Sequence, residues 1–205
     1  MPNIILGSSS PWRRKIMDRL GLAYTVMSPD IDEKAIRDPD PRALVLKIGR
    51  AKAAALVPRV KAPGLIITSD QVTAWGGEIR EKPVDAAEAR RWLVDYGTAP
   101  LQTATSVVIT ETATGRQLAD VDVVTVQFRP IPPEVQDRAI AGGDIMRCCG
   151  AFATDDQDLI PYLESITGEG TDEETAASVI GLPSRLVKKL LAEFGVTSKG
   201  DGPVS

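Results

Sequence analysis

Asp70 stands at the end of the apolar run Leu65-Ile66-Ile67-Thr68-Ser69. A carboxylate abutting such a strand is costly to bury unless something pairs with it, and the partners that serve are a metal ion, a lysine or a substrate. A second acidic group, Asp30-Ile31-Asp32-Glu33, follows another short apolar run. Ligand sites of open α/β sheets lie at such strand ends, although a solvated acidic turn has the same composition. Near the N-terminus Ile4-Ile5-Leu6 leads into Gly7-Ser8-Ser9-Ser10, then Pro11, Arg13, Arg14 and Lys15. A strand, a polar loop and a helix start in direct succession aim N–H groups, a helix dipole and fixed positive charge at one spot. That is an anion site, with phosphate the anion of choice, or else an ordinary strand–turn–helix with solvated basic residues. The chain has no histidine. Ser-His-Asp and Cys-His catalysis and imidazole zinc sites are thereby excluded, and proton transfer falls to carboxylates, lysine or tyrosine aided by a hard metal ion. Cys148 and Cys149 are adjacent, which suits buried packing better than a disulfide or a four-ligand metal site.

These residues need a scaffold, and 205 residues with 43% hydrophobic content can bury a substantial core. The expectation is a single domain over residues 1–195, with two lobes, and a flexible tail over 196–205. No apolar run approaches the roughly 20 residues that cross a bilayer, and no secretory leader is evident, so a cytoplasmic protein is expected. A net charge of −4 disfavours a broad face for long nucleic acid while leaving room for a small phosphate ligand. Pattern predicts a helix from Pro11 to Gly21, a strand over Leu22–Met27, and a helix over Pro41–Val57 with Leu44, Val45, Ile48, Ala51 and Ala55 inside. Lys52 falls outside that apolar set, as a solvent lysine or one bordering a cleft. One strand is predicted over Leu65–Val72, a turn at Trp75–Glu78, and a helix capped by Asp85 running to Tyr96, with Trp75 and Trp92 as packing residues. A long β pair, Thr103–Thr110 and Leu118–Phe128, serves as scaffold. A short helix over Glu134–Ala141 follows, then a strand and loop over Cys148–Asp156, an acidic loop over Gly168–Thr175, and a closing helix with Leu186, Leu190 and Leu191 inside.

The runs Gly7-Ser8-Ser9-Ser10-Pro11-Trp12-Arg13-Arg14, Asp30-Ile31-Asp32-Glu33, Ala51-Lys52-Ala53, Ser69-Asp70-Gln71-Val72, Glu81-Lys82-Pro83 and Val179-Ile180-Gly181-Leu182-Pro183 resemble, in order and spacing, those of Maf proteins. The resemblance spans nearly the whole chain. It implies an α/β fold, elongated and two-lobed like that of inosine triphosphatases, with a mixed, strongly twisted sheet, a cleft between the lobes and a homodimeric assembly. It also implies a pyrophosphatase that cuts nucleoside triphosphates between the α- and β-phosphates with a divalent metal, Mg²⁺ or Mn²⁺. Carried over, Ser8, Arg13 and Arg14 would grip phosphate; Glu33 and Asp70 would hold metal or water, with Asp70 the family's proposed base. Lys52 and Lys82 would neutralise developing charge.

Trp12 and Gln71 resemble the branch acting on 7-methyl-GTP, whereas forms with another residue at the first position and threonine at the second prefer pyrimidine triphosphates. Methylation at N7 makes guanine cationic, and a tryptophan face attracts a flat cation. An acidic residue shortly after Cys148-Cys149-Gly150-Ala151-Phe152 would read the guanine edge. Asp155 fits that place, with Asp156 and Arg147 as neighbours able to take it. The enzymatic alternative is a dTTP or UTP pyrophosphatase, and the non-enzymatic one a nucleotide-binding regulator of septum formation.

Overall fold

A computed structural model describes residues 2–197. The expected tail therefore lies, from residue 198 onward, outside the described residues. The described residues form two compact units, one built from residues 2–70, Thr105–Asp122 and residues 181–197, the other from Gln71–Ala104 and Val123–Ile180. The expected α/β class and mixed sheet are present. Among the described residues no helix is long and apolar enough to cross a membrane.

In the first unit, β1 (Asn3–Leu6) lies parallel to both β2 (Thr25–Val26) and β3 (Gly64–Thr68). The strand predicted over Leu22–Met27 is thus reduced to two paired residues. β6 (Leu101–Glu111) runs antiparallel to β3, with Thr68 opposite Val108. Helix α1 (Pro11–Arg19) starts where its sequence says it should: Ser10 Oγ accepts from the Arg13 amide, and Pro11 occupies the first turn. Helix α2 (Pro41–Leu56) buries Leu44, Val45, Ile48, Gly49, Lys52, Ala53 and Leu56. This stripe keeps i, i+3, i+4, i+7 spacing, and Lys52 is on it rather than outside it. Helix α6 (Ser184–Ala192) buries Leu186, Leu190 and Leu191 as expected.

The second unit holds β4 (Gln71–Trp75) and β5 (Glu78–Arg80), an antiparallel hairpin. Gly76 and Gly77 turn it with φ of 57° and 85°, values that suit a tight two-residue hairpin turn. The strand predicted over Leu65–Val72 is interrupted at Ser69-Asp70, so the aspartate sits in a break and not at a strand's end. Helix α3 (Ala86–Tyr96) is capped by Asp85, as predicted, and packs Trp92, Leu93 and Tyr96 inward with Phe128 and Phe152. Trp75 and Trp92 are packing residues, and what they pack on is Arg80. That guanidinium is 1% exposed, stacked on Trp75, Trp92 and Tyr96 and ion-paired with Glu78 and Asp95.

β7 (Gln117–Phe128) pairs with β6, and its last residues pair antiparallel with β8 (Leu163–Thr167). β6 and β7 each contribute residues to both units. Helix α4 (Pro133–Gly142) ends on left-handed Gly143. The strand expected after Cys148 is absent. Cys149–Ala151 instead form a single turn in which Gly150 and Ala151 have φ of 73° and 53°. The acidic loop expected over Gly168–Thr175 is half helix: α5 (Asp172–Ile180) begins inside it. The Thr171 and Glu174 side chains cap each other's amides at 3.3 and 3.1 Å, and the acidic first turn favours the helix dipole.

Candidate functional site

Lys52 is the centre of the first unit's polar cluster. It is 4% exposed, and its ammonium lies 2.7 Å from Asp70 Oδ1, 3.0 Å from Glu33 Oε2 and 3.4 Å from the Ser69 carbonyl. Asp70 is buried to 7% exposure, so the partner its sequence position demands is a lysine. Burial pushes the Asp70 carboxyl up from its ordinary value, against the lowering pull of Lys52 and, more weakly, of Arg13. Glu33 reaches the cluster from an exposed single turn, Glu33–Ala35, capped by Asp32.

The polar loop joins this cluster through a shared acceptor. Arg13 Nε donates to the Gly181 carbonyl at 2.7 Å, and Ser69 Oγ donates to the same oxygen at 3.1 Å. Arg13 Nη1 also donates to Ser8 Oγ, which accepts in addition from the Ser10 amide. Gly7 makes the tight approach possible: a Cβ there would stand 2.6 Å from both Leu56 Cδ1 and Thr68 Cγ2. Arg14 is exposed on the adjoining side of α1, where its charge reaches the Tyr24 hydroxyl. Trp12 is 40% exposed, with Lys15 Nζ 4.3 Å from its ring centroid, so one cation already lies over its face.

The second unit holds the other three sequence candidates. Gln71 donates its amide to the Ser178 and Val179 carbonyls, 3.0 Å each, at the end of α5. It therefore has a helix-capping task that its position in the motif does not reveal. Lys82 and Asp155 are both exposed and share a neighbour, the Cys148 thiol. Burial first, then the charges of Asp155 and Asp144, push that thiol up to about 11, while Lys82 pulls it down. Two opposite changes follow. In a Cys149→Ser background, Asp155→Asn is expected to speed alkylation of Cys148 at pH 9 roughly threefold, and Lys82→Met to slow it, because the thiolate is the reacting form. Rates read by mass spectrometry check this, and a rate unmoved by either change would separate both residues from the thiol.

Sequence reasoning missed three participants. The Gly181 carbonyl is a main-chain acceptor and leaves no mark in residue type. Gly49, where a Cβ would stand 2.9 Å from Val108 Cγ2, lets α2 approach β6. Ser106 lies on β6 and accepts from the Asp70 amide at 3.1 Å.

Carboxylates, a lysine and an arginine beside a serine loop are groups whose chemistry suits a phosphorylated ligand. Two carboxylates also form a donor set that suits a hard divalent cation, since such ions use one or two carboxylates and complete their shell with water and substrate phosphates. The model of the family described as Maf-like protein matches residues 3–194. A Dictyostelium discoideum protein named 7-methyl-GTP pyrophosphatase is 38% identical, over 93% of this chain and 96% of its own. One of the same name from Alcanivorax borkumensis is 35% identical over 95% of each chain. A Synechococcus protein named nucleoside triphosphate pyrophosphatase is 32% identical over 95% of each. In fold the chain resembles the Ham1 proteins of Coxiella burnetii and Staphylococcus aureus. Each gives a TM-score of 0.52, at 14% and 13% identity, covering 94% of this chain and 100% and 97% of theirs.

Proposed function

The chain belongs to the Maf family, and we propose that it is a metal-dependent nucleoside triphosphate pyrophosphatase whose leading substrate is 7-methyl-GTP. The observation that carries the proposal is the Lys52 ammonium seated on Asp70 and Glu33, linked through Ser69 and Gly181 to Arg13 and Ser8. Ser8 and Arg13 bind phosphate oxygens, and Arg14 adds charge to the same helix start. Lys52 offsets charge as the α–β anhydride breaks, and Asp70 takes the proton of the attacking water. One P–O bond of the anhydride is exchanged for one to the water oxygen, and pyrophosphate leaves beside the nucleoside monophosphate. Glu33 and Asp70 would hold Mg²⁺ or Mn²⁺, which supplies positive charge for the phosphates and acidifies bound water. Lys82, Gln71 and Asp155 enter on the family resemblance alone, Lys82 as a further neutralising charge and the other two as selectors of the base. A homodimer completes the proposal on the same ground, while a cytoplasmic place and the exclusion of long nucleic acid and membrane as partners are carried over from the composition and its net charge of −4.

Two observations favour the methylated base. Trp12 presents an exposed aromatic ring on which a flat base can stack, and two relatives matched over nearly their full length bear the name 7-methyl-GTP pyrophosphatase. The test is pyrophosphate release from 7-methyl-GTP, GTP, dTTP, UTP and CTP, with Mg²⁺ or Mn²⁺ and with chelator. The expected result is metal-dependent release with 7-methyl-GTP preferred. Trp12→Ala is expected to lower kcat/KM for 7-methyl-GTP about tenfold and to leave GTP nearly unaffected, the size of one desolvated cation–π contact. Preference for dTTP or UTP would discard the base assignment and keep the phosphate site. No metal-dependent release from any of the five would favour a binding protein without turnover.

A further inference from the structure

Ser106 is fully buried on β6, within a run of hydroxyl residues that a scaffold role would explain. Its hydrogen bonds point elsewhere. Ser106 Oγ donates to the Val45 carbonyl of α2 at 2.8 Å and accepts from the Asp70 amide at 3.1 Å. Its own amide donates to the Asp70 carbonyl at 2.9 Å, which leaves the 3.5 Å approach of Oγ to that carbonyl as the weaker contact. Val45, Gly49 and Lys52 lie on one face of α2, at i, i+4 and i+7. We infer that Ser106 is a positioning residue for the reaction: one buried hydroxyl ties the strand break that bears Asp70 to the helix face that bears Lys52.

The inference rests on the reading of Asp70 and Lys52 as the reacting pair. A serine hydroxyl has one proton and two acceptor sites, and here the proton goes to the helix while a lone pair takes the Asp70 amide. Both members of the ion pair are therefore referred to one oxygen atom. The approach is possible because residue 49 has no side chain: a Cβ there would stand 3.0 Å from Ser106 Oγ. A second hydroxyl marks the contrast. Thr68 Oγ1 donates to the Gly49 carbonyl at 2.7 Å, one turn further along the same helix face. It fastens α2 as Ser106 does and makes no bond to Asp70 among those observed.

Two substitutions separate positioning from plain stability. Ser106→Ala removes the hydroxyl from both Asp70 and Val45, and is expected to lower kcat about tenfold with KM changed less than about twofold, as for a reacting group shifted by a fraction of an ångström. Thr68→Val removes a comparable helix bond, and is expected to lower the melting temperature by a similar amount while kcat stays within about twofold of the parent. Both are assayed with nucleotide and metal, well below their own melting temperatures. Equal losses of kcat in the two variants, or an unchanged kcat in Ser106→Ala, would overturn the inference. Should the alanine variant fail to fold, Ser106→Cys, whose thiol is a weaker donor and acceptor, is expected to give an intermediate kcat at the parent KM; a parent-like kcat there would overturn it equally. Asp70→Asn run alongside keeps the two levels apart. If it retains turnover, the reading of the pair is wrong. If it is inactive while Ser106→Ala is normal, only the positioning role falls.

Discussion

Asp70→Asn is expected to reduce pyrophosphate release by about 10³-fold, the scale of losing a positioned proton acceptor, while nucleotide binding persists. The substitution keeps the shape of the side chain and an oxygen that still accepts from Lys52, but removes the charge and the basicity. Burial holds the native carboxyl above its ordinary value, so Asp70 is a stronger base than an aspartate in water. The variant should also fold, because Glu33 remains 3.0 Å from the Lys52 ammonium as its counter-charge. Release of pyrophosphate and binding of nucleotide, the latter by calorimetry, are measured on the same preparation. Wild-type turnover would remove Asp70 from the chemistry, and loss of binding together with turnover would make it a ligand contact instead.

Where structure follows from neighbouring residues, it is legible in the sequence. Ser10-Pro11 and Asp85 announce their helices by residue type, and both caps are formed. The hairpin at Gly76-Gly77 is equally local. The α5 start was within reach too, since Thr171-Asp172-Glu173-Glu174 is a capping box, but its charge density reads as a solvated loop. Illegible features depend on partners far along the chain. Lys52 looks like a residue outside the apolar stripe, and only Asp70 and Glu33 make its burial tolerable. Arg80 is the same case in the second unit, a buried cation whose place depends on Asp95 and three aromatic rings. Ser106 is harder still. A hydroxyl in a β-branched strand looks identical whether it meets solvent, a neighbouring strand or the back of a helix. The motifs therefore point to the site's charged members, while the groups that hold those members in place are found only once the strands and α2 are packed together.

The Lys52–Asp70 pair makes a second prediction, in stability as well as rate. Lys52→Met removes the ammonium and should lower turnover by about 10²-fold, since the charge that offsets the breaking anhydride is gone. It also strands Asp70, whose side chain is 10% exposed, whereas Glu33 at 48% can turn to water. Breaking a buried pair from one side costs about 3–5 kcal/mol when the remaining charge cannot escape. Asp70 has an escape, which is to take a proton. Without Lys52 its folded-state pKa rises further above the value of about 3.9 in the unfolded chain. A carboxyl raised on folding binds its proton more tightly in the folded state, so the variant is least penalised at low pH and loses stability as pH climbs through the raised value. The expected loss relative to the parent is about 3 kcal/mol at pH 8 and clearly smaller at pH 5. Adding Asp70→Asn to Lys52→Met removes the stranded charge, and should restore most of the pH 8 loss without restoring turnover. Denaturant unfolding of the four proteins at both pH values measures this directly. An equal loss at pH 5 and pH 8, or no recovery in the double variant, would mean that Lys52 stabilises α2 by packing its alkyl chain and not by neutralising Asp70.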